Sequence, residues 1–127
     1  MTTLPRPTDA ELAILRVLWS RGPSTVRQVH EALSETRPTG YTTALKLLQI
    51  MTEKGLVARD ETDRTHVYAP RLTETETQAQ LVDDLLGRAF GGSALKLVMQ
   101  ALSGARATPQ ELAEIRRLLD GKQGGEQ

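Results

Sequence analysis

Residues Gly40–Gly55, GYTTALKLLQIMTEKG, decide how the rest of the chain is understood. Ala44, Leu45, Leu48 and Met51 recur at helical spacing, which predicts an amphipathic helix with that stripe turned toward a core. The opposite side carries Thr42, Thr43, Lys46 and Gln49, a short polar strip with one positive charge. Such a strip suits the major groove of DNA. Hydroxyls and an amide exchange hydrogen bonds with base edges, an ammonium meets a phosphate or a guanine edge, and threonine methyls pack on thymine methyls. Alone, it describes equally well a helix face that meets water, so the flanking segments decide its weight.

Upstream, Thr8-Asp9-Ala10-Glu11 has the form of a capping box that starts a helix with Leu12, Leu15, Leu18 and Trp19 on one stripe; Gly22-Pro23 stops it. Ser24 is the expected cap of a second helix carrying Val26, Val29 and Leu33 inward, ended by the polar run Ser34–Gly40. Downstream of Gly55 the period changes. Leu56–Arg59, a polar turn Asp60–Arg64 and Thr65–Ala69 form two short strands of a hairpin, which Pro70 is expected to end because it has no amide to donate. Three helices and a hairpin in this order are a winged helix-turn-helix, with the third helix in the major groove and the hairpin at an adjacent backbone or minor groove.

The remainder is helical in pattern. Thr73–Glu76 opens a helix with Val82, Leu85, Leu86 and Phe90 on one side, ended by Gly91-Gly92. Ser93 opens another with Leu95, Val98, Met99 and Leu102. Thr108-Pro109-Gln110-Glu111, a capping box with proline at the first helical position, opens a third with Leu112, Ile115, Leu118 and Leu119. Gly121 is expected to end it and Lys122–Gln127 to be disordered. Three short amphipathic helices bury too little surface to fold alone, so their apolar faces call for a mate, most simply a second copy in a two-fold dimer. The fold class is therefore mainly α with a small β-hairpin: a winged helix-turn-helix domain over residues 1–70, a helical dimerisation region over 71–121 and a disordered tail over 122–127, preceded by a flexible lead-in, Met1–Pro7.

Composition narrows the function classes. Sixteen basic and sixteen acidic residues give a net charge of zero over 127 residues, so cations for a polyanion must be concentrated on one face. Nine basic residues to eight acidic ones lie up to Pro70, and seven to eight beyond it. With no cysteine there is no disulfide framework, thiol nucleophile or thiolate metal site, and His30 and His66 are the only histidines. No Gly-rich phosphate loop, Ser/His/Asp grouping or HExxH occurs, and Asp83-Asp84 suits a solvated helix face better than an acid/base pair. Neither an enzyme nor a cofactor is expected. No stretch has the length and apolarity of a signal sequence or membrane span, so a cytoplasmic protein is expected.

Individual residues keep two interpretations. Ser24 and Thr25 at a helix N-terminus can hold a phosphate, although a plain cap accounts for Ser24. Tyr41 either touches the DNA backbone or packs. Arg59 and Arg64 are phosphate contacts of the wing, or they offset Asp60, Glu61 and Asp63 beside them.

The segments Glu11–Trp19, Thr25–Val29, Tyr41-Thr42-Thr43, Glu53-Lys54-Gly55-Leu56-Val57 and Arg64–Tyr68, followed by Phe90-Gly91-Gly92 and Glu111–Leu119, closely resemble the penicillinase-repressor (BlaI/MecI) family of bacterial winged-helix regulators. The order and spacing of these pieces carry the resemblance, which covers nearly the whole chain. It implies a homodimeric repressor that binds a palindromic double-stranded DNA operator through its third helix and wing and dimerises through its C-terminal helices. It also implies, as a partner, a membrane-bound metallopeptidase sensor encoded nearby, which triggers inactivation by cleavage in the dimerisation region. Two departures stand out. Many members carry arginine where this chain has Ile50. The described cleavage falls at an Asn-Phe pair, matched here by Gln100-Ala101. The cysteine-rich tail of copper-responsive relatives is absent, which excludes that mode of sensing. A different class stays open beside the repressor: a winged-helix protein-interaction module whose third helix docks on protein.

Overall fold

The computed structural model describes residues 6–104 and 106–125. Most of the lead-in Met1–Pro7 lies outside these residues. Among them run six helices and one hairpin: α1 (Asp9–Arg21), α2 (Val26–Ser34), α3 (Tyr41–Lys54), β1 (Val57–Asp60), β2 (Val67–Pro70), α4 (Glu74–Ala89), α5 (Ala94–Leu102) and α6 (Pro109–Gly125). The chain divides into two compact units, Met1–Val82 and Asp83–Gln127, and the division falls inside α4.

The first unit is the winged helix-turn-helix. Its core joins Ile14, Leu15 and Leu18 of α1, Val29 of α2, Ala44, Leu48 and Met51 of α3, and Leu56, Val57 and Tyr68 of the wing. The α1 stripe is rotated from the expected one: Ile14 is buried, whereas Leu12 and Trp19 are half-buried. Trp19 sits at the edge because its indole N–H needs an acceptor, which it finds in the Leu72 carbonyl at 3.0 Å. Thr77, in the second turn of α4, is buried in the same unit.

Glu11 ties the unit together. As expected, the Thr8 hydroxyl accepts from the Glu11 amide and the Glu11 carboxylate accepts from the Thr8 amide, closing a capping box on α1. The same carboxylate, 3% exposed, also receives the Lys54 ammonium at 2.8 and 3.0 Å, at the last residue of α3. Burial pushes the Glu11 carboxyl up, but the hydrogen bonds from Lys54 and Thr8 outweigh it and hold it below the usual carboxylate value.

Two expectations about the hairpin are corrected. Pro70 is not left out of the pairing: it is the last residue of β2, opposite Val57, so the strand ends with it and not before it. The Arg71 amide donates to the Leu56 carbonyl at 3.0 Å, which makes Leu56 opposite Arg71 a hydrogen-bonded pair and Val57 opposite Pro70 a non-hydrogen-bonded one. Proline's missing N–H is not needed there. Nor does Ser24 cap α2. Its amide and carbonyl both pair with Tyr68, at 2.9 and 2.8 Å, adding a bridge to the outer edge of β2. Its hydroxyl turns back to the Gly22 carbonyl at 2.8 Å. Thr25 is the cap, in a capping box with Gln28.

In the second unit the cap at Ser93 and the capping box Thr108–Glu111 form as expected, as does the Thr73–Glu76 box that opens α4. Gly92, with φ of 82°, closes α4 by donating to the Leu86 carbonyl at 2.9 Å. Gly121 does not end α6, which continues to Gly125. A glycine stops a helix by turning left-handed, and Gly121 keeps helical backbone at a cost of about 1 kcal/mol relative to alanine. Lys122 and its neighbours, expected to be disordered, thus begin as helix, and Glu126 and Gln127 lie outside the described residues. No described residue of this unit is fully buried. Several of its apolar side chains are exposed, from 40% at Leu112 to 69% at Leu95, while others such as Leu86, Leu102 and Ile115 are half-buried.

Breaking the pair through Lys54→Met strands a buried carboxylate. Because Lys54 is one-third exposed, the expected loss is about 1–3 kcal/mol, short of a fully buried pair. Since Glu11 titrates lower when folded, its contribution is complete above the unfolded value and is lost as pH falls through the folded one. Urea unfolding of wild type should therefore weaken below about pH 4.5, and Lys54→Met should flatten that dependence.

Candidate nucleic-acid interface

Three elements meet around the head of α3. Burial of Ala44, Leu48 and Met51 leaves Thr42, Thr43, Lys46 and Gln49 exposed together on the outer face, the polar strip expected from the spacing. Ile50 is exposed on the same face, at 36%. Lys46 has no ion-pair partner among the described residues.

Tyr41 opens α3 and is 48% exposed. Its ring meets the His30 ring of α2 edge-on, with centroids 5.8 Å apart and planes at 77°. Tyr41 also lines an open groove of about 320 Å³, together with Thr25, Arg27, Arg64, His66 and Tyr68, among others. The fold thus brings Thr25, Tyr41 and Arg64 to one place from three separate parts of the chain. The Thr25 hydroxyl accepts from the Gln28 amide at 3.2 Å and keeps its O–H for an outside acceptor, so it offers a phosphate that donor as well as the start of a helix.

Helix ends reinforce this charge pattern. α1, α4 and α6 carry acids in their first turns, as the helix dipole favours, whereas α2, α3 and, in the second unit, α5 carry none. Arg27 even places a cation in the first turn of α2, where the dipole disfavours it unless an anion arrives. Its intramolecular partner is Glu31 at 3.4 Å, with both groups well exposed. Arg27 and His66 were not among the expected contacts. The misplaced first-turn charge was a legible signal for Arg27, whereas His66 joins the groove only through the hairpin register.

The two wing arginines part company. Arg64 is exposed in the turn and lines the groove, without an ion-pair partner among the described residues. Arg59 faces Tyr68 across the hairpin, and a hydrogen bond to the Tyr68 side chain, then the Glu61 carboxylate at 2.7 Å, hold its guanidinium above the ordinary arginine value. Its charge is already balanced inside the wing. Asp60 is also structural: it accepts from the Thr62 hydroxyl at 2.6 Å and amide at 2.9 Å, which fixes the turn and pulls its carboxyl below the usual value.

A family model described as penicillinase repressor matches residues 7–121. The chain belongs to the penicillinase-repressor family. The transcriptional regulator BlaI of Mycobacterium tuberculosis is 47% identical over 90 residues, which take in 70% of this chain and 65% of that protein, just under two thirds of its length. The penicillinase repressor of Bacillus licheniformis is 24% identical over 120 residues, 94% of each chain. Among solved structures, the monomeric form of B. licheniformis BlaI in complex with the blaP half-operator superposes with a TM-score of 0.51 at 28% identity, over 60% of this chain and 93% of that one. Penicillinase-repressor family members are transcriptional regulators and not enzymes. No described helix is long and apolar enough to cross a membrane.

The different states of the wing cations give a measurable contrast. In salt titrations of DNA binding, Arg64→Ala and Arg27→Ala should each lower the slope of log K against log salt by about one. Arg59→Ala should change it by less than half as much.

Proposed function

We propose that this chain is a homodimeric transcriptional repressor that acts in the cytoplasm on a palindromic double-stranded DNA operator. α3 lies in the major groove of each half-site, with Thr42, Thr43, Lys46 and Gln49 toward the base edges. The groove formed by Thr25, Arg27, Tyr41 and Arg64 takes the flanking phosphates, and Arg59 supports the wing more than it contacts DNA. The observation that carries this proposal is the coincidence of an unpaired polar strip on α3 with a cation-lined groove at its head, in a chain of zero net charge. The cations on that face, Lys46 and Arg64 without an ion-pair partner among the described residues and Arg27 with an exposed one, favour a polyanion over a protein docked on α3. That the related B. licheniformis protein is in complex with a half-operator supports DNA as the ligand.

Dimerisation through the second unit is supported by its lack of any buried side chain among the described residues and by the exposed faces of Leu85, Leu95, Val98, Leu112, Leu118 and Leu119, with Val82 leading into them. Leu86, Leu102 and Ile115 are half-buried and back those faces. A membrane-bound metallopeptidase sensor would relieve repression by cutting this unit. Gln100-Ala101, the bond suggested by the resemblance, lies in the last turn of α5, and the Gln100 carbonyl accepts from Ser103 and Arg106. Proteases bind extended chain, so this turn has to unwind before cleavage.

A gel-shift titration against the DNA upstream of the protein's own gene, at two salt concentrations and with random DNA as competitor, tests the function. A shift that survives competitor and weakens with salt is expected, with Lys46→Ala lowering affinity and Thr43→Ala changing base preference. No shift at either salt would sink the proposal.

The double variant Leu95→Glu/Leu118→Glu should halve the mass measured by light scattering and weaken operator binding by at least tenfold. A dimeric mass for that variant would count against the second unit as the interface.

A further inference from the structure

We propose that Ile50 is a specificity-determining residue that packs on thymine C5 methyl groups in the major groove; this rests on the DNA-reading role of α3. Ile50 lies one helical turn beyond Lys46 and two beyond Thr43, so the three side chains form one row on the outer face. Around that row Thr42, Gln49 and Glu53 are all exposed, and the nearest apolar side chain, Leu47 one turn before Ile50, is half-buried against the core. A branched apolar side chain 36% exposed on a groove-facing row gains nothing from water, and its aliphatic surface has no hydrogen bond to offer a base. The one apolar group that DNA displays in the major groove is the thymine methyl. Thr43 brings a second methyl to the same row while its hydroxyl remains available. The pair therefore forms a small apolar contact framed by Lys46, whose charge fixes the row against phosphate or guanine.

The contact separates from ordinary phosphate binding because it depends on single methyl groups. The test uses one duplex, the stretch upstream of the protein's own gene, amplified with dTTP or with dUTP. The two products carry the same Watson–Crick pairs and differ in the C5 methyls. Each methyl lost from a packed contact is expected to cost about fourfold in affinity, so wild type should bind the uracil form roughly tenfold more weakly. Ile50→Ala should weaken binding to the thymine form and shrink the thymine-to-uracil ratio to about threefold or less. Thr43→Ser, which keeps the hydroxyl and removes the methyl, should shrink it in part. Ile50→Leu should restore most of the ratio, and Arg64→Ala should weaken both forms alike. Equal ratios for wild type and Ile50→Ala, or a wild type indifferent to the exchange, would overturn the assignment. Failure of wild type to bind either form above random competitor would overturn the DNA-reading role itself.

Discussion

The ion pair between Lys54 and Glu11 is the constraint on which the placement of α3, and so of its outer face, depends. It joins the last turn of α3 to the first turn of α1 across 43 residues of sequence, and the same carboxylate closes the α1 capping box. Lys54 therefore fixes how far α3 slides along α1. The burial of Ala44, Leu48 and Met51 fixes its rotation, so the outward face is what remains. Immediately after Lys54, Gly55 adopts φ of 84°, which lets the chain reverse and drop Leu56 and Val57 into the core as the wing begins. Lys54–Val57, one of the pieces that carry the family resemblance, thus builds the scaffold that positions α3.

Zero net charge and polyanion binding are compatible because the acids have structural work. Glu11 holds Lys54, Glu61 holds Arg59, Asp60 builds the wing turn, and Glu74, Glu76 and Glu111 sit at helix starts where the dipole favours them. Lys46 and Arg64 are left without a partner among the described residues, and Arg27 has only a long, exposed one. A simple count of charges sums these two populations. Only their positions separate the cations that hold the protein together from those that face outward.

The two units obey different stabilities. The winged unit closes a core around α3 with ten apolar side chains at 2% exposure or less. The second unit reaches no comparable burial in one chain, although all its helix starts are well capped. Capping decides where a helix begins but adds only about 1 kcal/mol each, too little to hold three short helices without a buried face. Good local signals with an unfinished core are what a segment completed by another surface looks like.

Much of this was determined by sequence alone, because it is local. The α1 and α6 capping boxes, the Gly55 stop, the change of period into the hairpin and the two faces of α3 all follow from residues within a few positions of one another. Even the true α2 cap was legible, since Thr25 and Gln28 have capping-box spacing. Tertiary structure alone decided the rest. The place of Pro70 depended on which strand positions need an N–H, a matter of register set by the partner strand. Ser24 became a bridge residue because Tyr68 arrived beside it, and Trp19 moved to the core edge because Leu72 supplied its acceptor. The different surroundings of Arg59 and Arg64 had the same origin: identical side chains in one hairpin, Arg59 in β1 beside Tyr68 and Glu61 and Arg64 in the turn beyond their reach. Spacing along the chain sets which residues share a face, but pairing between distant elements sets which of their charges are already satisfied.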